Sequence, residues 1–117
     1  MKKTILFVFL TMLASLCQAE RYDVDVVLGE VRIFDKDNIL NTAWQGAGYV
    51  ELPTISQTPD CGTVGNKYAL SFSTDNTTMV SMILAAKMAN KTVTVTFDDS
   101  VNYPKGNFCP LQMLTIK

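Results

Sequence analysis

The 117-residue chain contains no histidine. The commonest general base and metal ligand is therefore missing, and with it the usual Ser-His and Cys-His nucleophile pairs. Cysteine is scarce: Cys17, Cys61 and Cys109 stand far apart, and without histidine they form no zinc ligand set. There is no Gly-x-Ser-x-Gly elbow and no phosphate loop. The expectation is a non-enzyme with no catalytic residues, no metal and no cofactor. Apolar runs are also few. The longest, Ile5 to Leu16, falls short of the roughly 20 residues that a membrane-spanning helix needs.

That run has another use. Met1-Lys2-Lys3 precedes it and Cys17-Gln18-Ala19 follows it, the charged, apolar and small-residue parts of a secretory signal peptide. Cleavage is expected after Ala19. Cys17 also admits a lipid-anchor reading, against which stands the bulky Leu16. The rest, residues 20–117, makes a single domain for a secreted or periplasmic location. Removing Lys2 and Lys3 from the ten basic residues leaves eight against eleven acidic ones, a net charge of −3. Such a surface is a poor match for nucleic-acid phosphates, and no polybasic membrane patch is present.

Cys61 and Cys109 then remain as an even pair in an exported chain, which favours a disulfide; two buried thiols are the alternative.

Tyr22, Val24, Val26 and Leu28 alternate with polar residues, and after Gly29 the phase flips to Val31 and Ile33. A glycine at a phase flip is the mark of a β-bulge, so a long bent strand is expected to about Phe34. Asp35-Lys36-Asp37-Asn38 reads as a turn, because Ile39 stands where a calcium loop needs a ligand. A second strand is expected over Tyr49–Ile55 and a polar loop over Ser56–Asn66. A third strand then covers Tyr68–Ser73. Ser73, Thr74 and Asp75 offer caps for a helix through Met79–Met88. Val93, Val95 and Phe97 mark a fourth strand with a threonine face, and Leu111–Ile116 a fifth. Strand, strand, strand, helix, strand, strand is the element order of an OB-fold, a five-stranded Greek-key barrel with its helix between strands three and four.

Met79, Met82, Ile83 and Ala86 form one apolar arc of that helix. Val80, Leu84 and Met88 extend the apolar surface, and Lys87 is the only charge. A helix apolar on nearly every side needs cover on more than one. Val80, Leu84 and Met88 are accordingly expected at an interface between copies of the chain; a loop folding over the helix is the alternative. Trp44, Gln45 and Tyr49, beside Gly46 and Gly48, are the expected ligand-binding residues, since an aromatic face stacks on a sugar or a protein and amides orient it. The alternative places Trp44 in the barrel mouth as packing. Asp98-Asp99 reads as a solvated strand end.

The residues Cys61-Gly62, Tyr68-Ala69-Leu70-Ser71-Phe72-Ser73-Thr74, Ile83-Leu84-Ala85-Ala86-Lys87, Lys91-Thr92-Val93-Thr94-Val95, Cys109 and Leu114-Thr115-Ile116 resemble small exported bacterial proteins of the subtilase-cytotoxin B-subunit type. The likeness covers the C-terminal half of the chain, and Glu20 to Asp60 follows in pattern alone. It implies an OB-fold and a disulfide between the two cysteine regions. In the toxin members it also implies a pentamer with helices around a central pore, which binds glycans and carries an enzymatic A subunit. No glycan-contacting residue of that family falls on a matching position here. Two roles are thus expected: a ring-forming glycan-binding subunit, or a monomeric periplasmic accessory or inhibitor protein with a protein partner.

Overall fold

Valines alternating with aspartates build the first strand, β1 (Arg21–Val27), in which Val24 and Val26 are buried and Asp23 and Asp25 stand in solvent. The computed structural model describes residues 20–100 and 107–117. The expected signal peptide and residues 101–106 of the loop after Asp98 lie outside the described residues.

The long first strand of the sequence reading is divided in two. β1 stops at Val27 and β2 (Val31–Ile33) resumes after Gly29. Gly29 N donates to Glu51 O at 2.9 Å, and Glu51 N donates to Glu30 O at 2.9 Å. Gly29 and Glu30 thus share one partner, the two-against-one count of a β-bulge. A Cβ on Gly29 would stand 2.8 Å from Pro53 Cγ, so the bend needs a residue without one.

β3 (Ala47–Leu52) is buried on both faces. It ends before Pro53, three residues short of the expected Ile55, because proline has no N–H to continue the ladder. The polar loop expected from Ser56 to Asn66 contains β4 (Thr63–Val64), which pairs with β5 (Lys67–Ser73) through a two-residue turn led by Gly65 at φ +62°. Helix α1 (Thr77–Ala89) contains the expected Met79–Met88, but its cap lies past the three expected: Asn76 Oδ1 accepts from Met79 N at 3.1 Å. Ser73 instead accepts from Asp75 N in the preceding turn, and Thr74 and Asp75 do not cap. Asn90, left-handed at φ +52°, ends the helix.

β6 (Thr92–Asp98) and β7 (Cys109–Ile116) complete one sheet in the order β1-β6-β7-β5-β3-β2, with β4 hanging off β5. Among the described residues the fold is mainly β, with one helix, following β5, and seven strands in place of the five expected, through the break at Gly29 and the added β4. The β5–β7 pairing is parallel and all others are antiparallel. Opposite β6, Gln112 lacks a partner, since Thr96 faces Met113 and Phe97 faces Leu111.

Val50, Leu52, Leu70, Val93, Val95 and Phe97 centre the core, and α1 adds Ile83 and Ala86 to it. Cys61 and Cys109 form a disulfide with Cα atoms 5.4 Å apart, tying the loop before β4 to the start of β7. Among the described residues, no helix is long and apolar enough to cross a membrane.

Candidate functional site

Along β3, Val50 and Leu52 face the core, so Tyr49 projects from the opposite side of the sheet. Four rings gather there. Trp44, brought over by a short 3-10 turn (Thr42–Trp44), lies 5.8 Å from Tyr49, 5.4 Å from Phe34 and 5.3 Å from Phe108, and Tyr49 and Phe108 are 5.8 Å apart. These separations and tilts suit edge-to-face packing. Two of the three expected ligand-binding residues, Trp44 and Tyr49, therefore meet. Their ring cluster stands on the outer face of β3, away from Val50 and Leu52.

Within it the residues differ. Tyr49 is only 5% exposed, and burial pushes its hydroxyl above the ordinary tyrosine range. Arg32 lies over its ring at 5.8 Å. Trp44 is partly buried and keeps some of its surface in solvent. Gln45 is exposed, but its Nε2 donates to Asn38 O at 2.9 Å, so the amide braces the neighbouring loop. Phe34 and Phe108 were not singled out by sequence. The signal for Phe108 is its place beside Cys109, whose bridge to Cys61 brings the two loops together; Gly62 N donates to Asn107 O at 2.7 Å.

The Asp35–Asn38 segment is a turn, as expected. Asp35 accepts from Asp37 N at 3.0 Å, and Asn38 Oδ1 accepts from Asn41 N at 2.7 Å. This braced loop carries Ile39 and Leu40, which are 87% and 95% exposed.

A second candidate surface flanks β1. A groove of about 720 Å³ separates it from segment 54–57, lined by Asp23, Val24, Asp25, Thr54, Ile55, Ser56, Gln57, Thr94 and Lys117. A hollow of about 390 Å³ shares Asp25 and Thr54 with it and adds Val26, Val27, Leu28, Pro53 and Thr92. The carboxylates on its rim are held by the threonine face of β6. Thr96 Oγ1 donates to Asp23 at 2.6 Å and Thr94 Oγ1 to Asp25 at 2.5 Å. Arg21 adds a contact at 3.2 Å to Asp23, and Lys117 one at 3.3 Å to Asp25. Hydroxyl donation first, then these cations, lower both carboxyl pKa values. The threonines of β6 thus have a specific role that alternation alone did not disclose.

Of the expected interface residues on α1, Met88 is 86% exposed and Leu84 40%, whereas Val80 is partly buried and packs against the core. Asp98 and Asp99 are engaged separately: Asp98 accepts from Ser100 N at 2.7 Å, and Asp99 from Asp60 N at 3.1 Å. They form no paired carboxylate.

Comparison with protein-family models, with curated proteins and with solved structures finds no match for this chain.

Proposed function

We propose that the chain is an exported, non-enzymatic binding protein built on an OB-type barrel, which assembles with copies of itself through α1 and recognises a glycan. The barrel reading rests on the sheet order, which begins on β1 and ends on β2, two pieces of chain joined by only Leu28, Gly29 and Glu30. Taken as halves of one bent strand, they bring the two ends of the sheet together, and β4 becomes an appended arm.

The observation that carries the assembly is the outward arc of α1. Leu84 and Met88, one turn apart, project with Ser81 and Ala85 into solvent, and none of the four is charged. Lys87, the only charge on the helix, is turned aside and donates to Leu28 O at 3.3 Å. An uncharged, partly apolar helix face open to water in one chain suits a second copy of the same helix. The glycan reading rests on Trp44, whose ring is propped by Phe34, Phe108 and Tyr49 while part of it meets solvent. An aromatic plane held in this way stacks on a sugar ring at little entropic cost.

Size-exclusion chromatography with light scattering on residues 20–117 tests the assembly. The expected result is an oligomer at micromolar concentration that Leu84→Lys with Met88→Lys converts to a monomer. A monomeric parent chain overturns it. Trp44 is the only tryptophan, so its fluorescence reports glycan binding directly.

One observation favours the second role, that of a monomeric accessory protein. Ile39 and Leu40 stand almost fully exposed on a braced loop, an apolar knob suited to a protein partner. The same chromatography separates the two readings, since this one requires a monomer.

A further inference from the structure

Among the described residues β1 pairs with β6 alone, and its second edge opens onto the groove along segment 54–57. The register settles which backbone groups face that groove. Asp99 N donates to Glu20 O at 3.2 Å, so Glu20 and Asp99 are a hydrogen-bonded pair of the antiparallel ladder. Such pairs alternate with non-bonded ones. Tyr22, Val24 and Val26 therefore bond to Phe97, Val95 and Val93, while Arg21, Asp23, Asp25 and Val27 turn their N–H and C=O away from β6. The last three present donor–acceptor pairs to the groove about 7 Å apart.

We propose that this edge binds an extended segment of another protein, which enters the groove as an added strand beside β1. No strand among the described residues fills the position. β3 stops at Leu52, and Pro53 brings no N–H to continue a ladder. Nor does a second copy of the same edge fit, because pairing β1 with β1 would set Asp23 and Asp25 of the two copies against each other.

The walls specify the partner's pattern. On the inner side an added strand meets Val24, Val26, Ile55 and Pro53, which favour β-branched apolar residues. On the outer side it runs beside Asp23 and Asp25, whose side chains are 50% and 59% exposed despite Arg21 and Lys117, leaving acceptors for further cations. The occupant is thus a polypeptide alternating apolar with basic residues. Main-chain bonds supply affinity and the alternation supplies register.

The test uses residues 20–117 and an acetylated, amidated heptapeptide alternating lysine and valine, with hydrogen exchange followed by NMR. Binding slows exchange at the Asp23, Asp25 and Val27 amides and leaves Tyr22, Val24 and Val26 as they were. Laid antiparallel to β1, with its lysines opposite Asp23 and Asp25, the peptide turns the lysine N–H groups towards β1, so methylating those backbone nitrogens weakens binding by roughly tenfold or more. Methylating the valine nitrogens changes it little. A peptide with glutamate in place of lysine binds more weakly still. Equal loss from both methylation patterns, protection elsewhere than the odd-numbered β1 amides, equal binding of the glutamate peptide, or no binding at millimolar peptide each overturns the proposal. None of these readouts depends on the oligomeric state of α1.

Discussion

Among the described glycines, Gly48 has the least room for a side chain. A Cβ there would stand 2.6 Å from Arg32 O and 2.7 Å from the Phe72 ring, and the first of these is backbone that cannot rotate aside. Gly48→Ala is expected to destabilise the domain by about 1–3 kcal/mol, read from the urea midpoint. The position lies between Trp44 and Tyr49 on the chain, so the same change is expected to alter Trp44 fluorescence as β3 shifts. Sequence pointed to Trp44 and Tyr49 because an aromatic face beside glycines and an amide can stack on a sugar or a protein. It did not point to Phe34 or Phe108. Neither carries a local pattern, and both reach the cluster through contacts across the sheet and across the disulfide. Whether a ring stacks on a ligand or on its neighbours is decided by such distant residues, which is why Tyr49 could be named but not seen to be buried.

At the scale of elements, alternation placed β5 and β6 within a residue of the expected spans, because Leu70 and Val95 keep a period of two along each strand. β1 begins one residue before the expected Tyr22 but ends at Val27, since the strand expected to reach Phe34 is broken at Gly29. β3 was harder, being covered on both faces, so its end was set by Pro53 rather than by pattern. β4 went unseen because two residues cannot show a period; the Gly65-Asn66 pair ahead of Lys67 was the available signal. The β1–β6 pair also has a pH dependence of predictable sign. Asp23 and Asp25 have folded pKa values below their ordinary range, chiefly through Thr96 and Thr94. The stability they contribute is complete above an unfolded aspartate pKa of about 3.9 and is lost as pH falls through the lower folded values. Urea midpoints at pH 7 and pH 3 check this. The parent is expected to lose more stability on acidification than Asp23→Asn with Asp25→Asn.

For the whole molecule, the Cys61–Cys109 bridge closes a loop 48 residues apart in sequence and anchors β7 beside β5. On the chain-entropy account it contributes about 4 kcal/mol, so replacing both cysteines with alanine is expected to lower unfolding stability by up to that amount. Denaturant titration of the variant beside the oxidised parent measures it. The pairing was expected from the even count left once Cys17 is assigned to an expected leader and from the resemblance, whereas the sheet order did not follow from any local pattern. Which strands become neighbours depends on contacts between residues far apart in sequence.

That order carries a consequence in time. Of the described strands β7 comes last in the chain, yet it lies between β6 and β5, so β1 and β6 can pair early and β2, β3 and β5 can pair early, but the strand that joins the two groups arrives after both. Until residues 109–116 are synthesised, a nascent chain is two separate ribbons with bare inner edges. Completion of the sheet is thereby postponed until residues 109–116, Cys109 among them, have emerged.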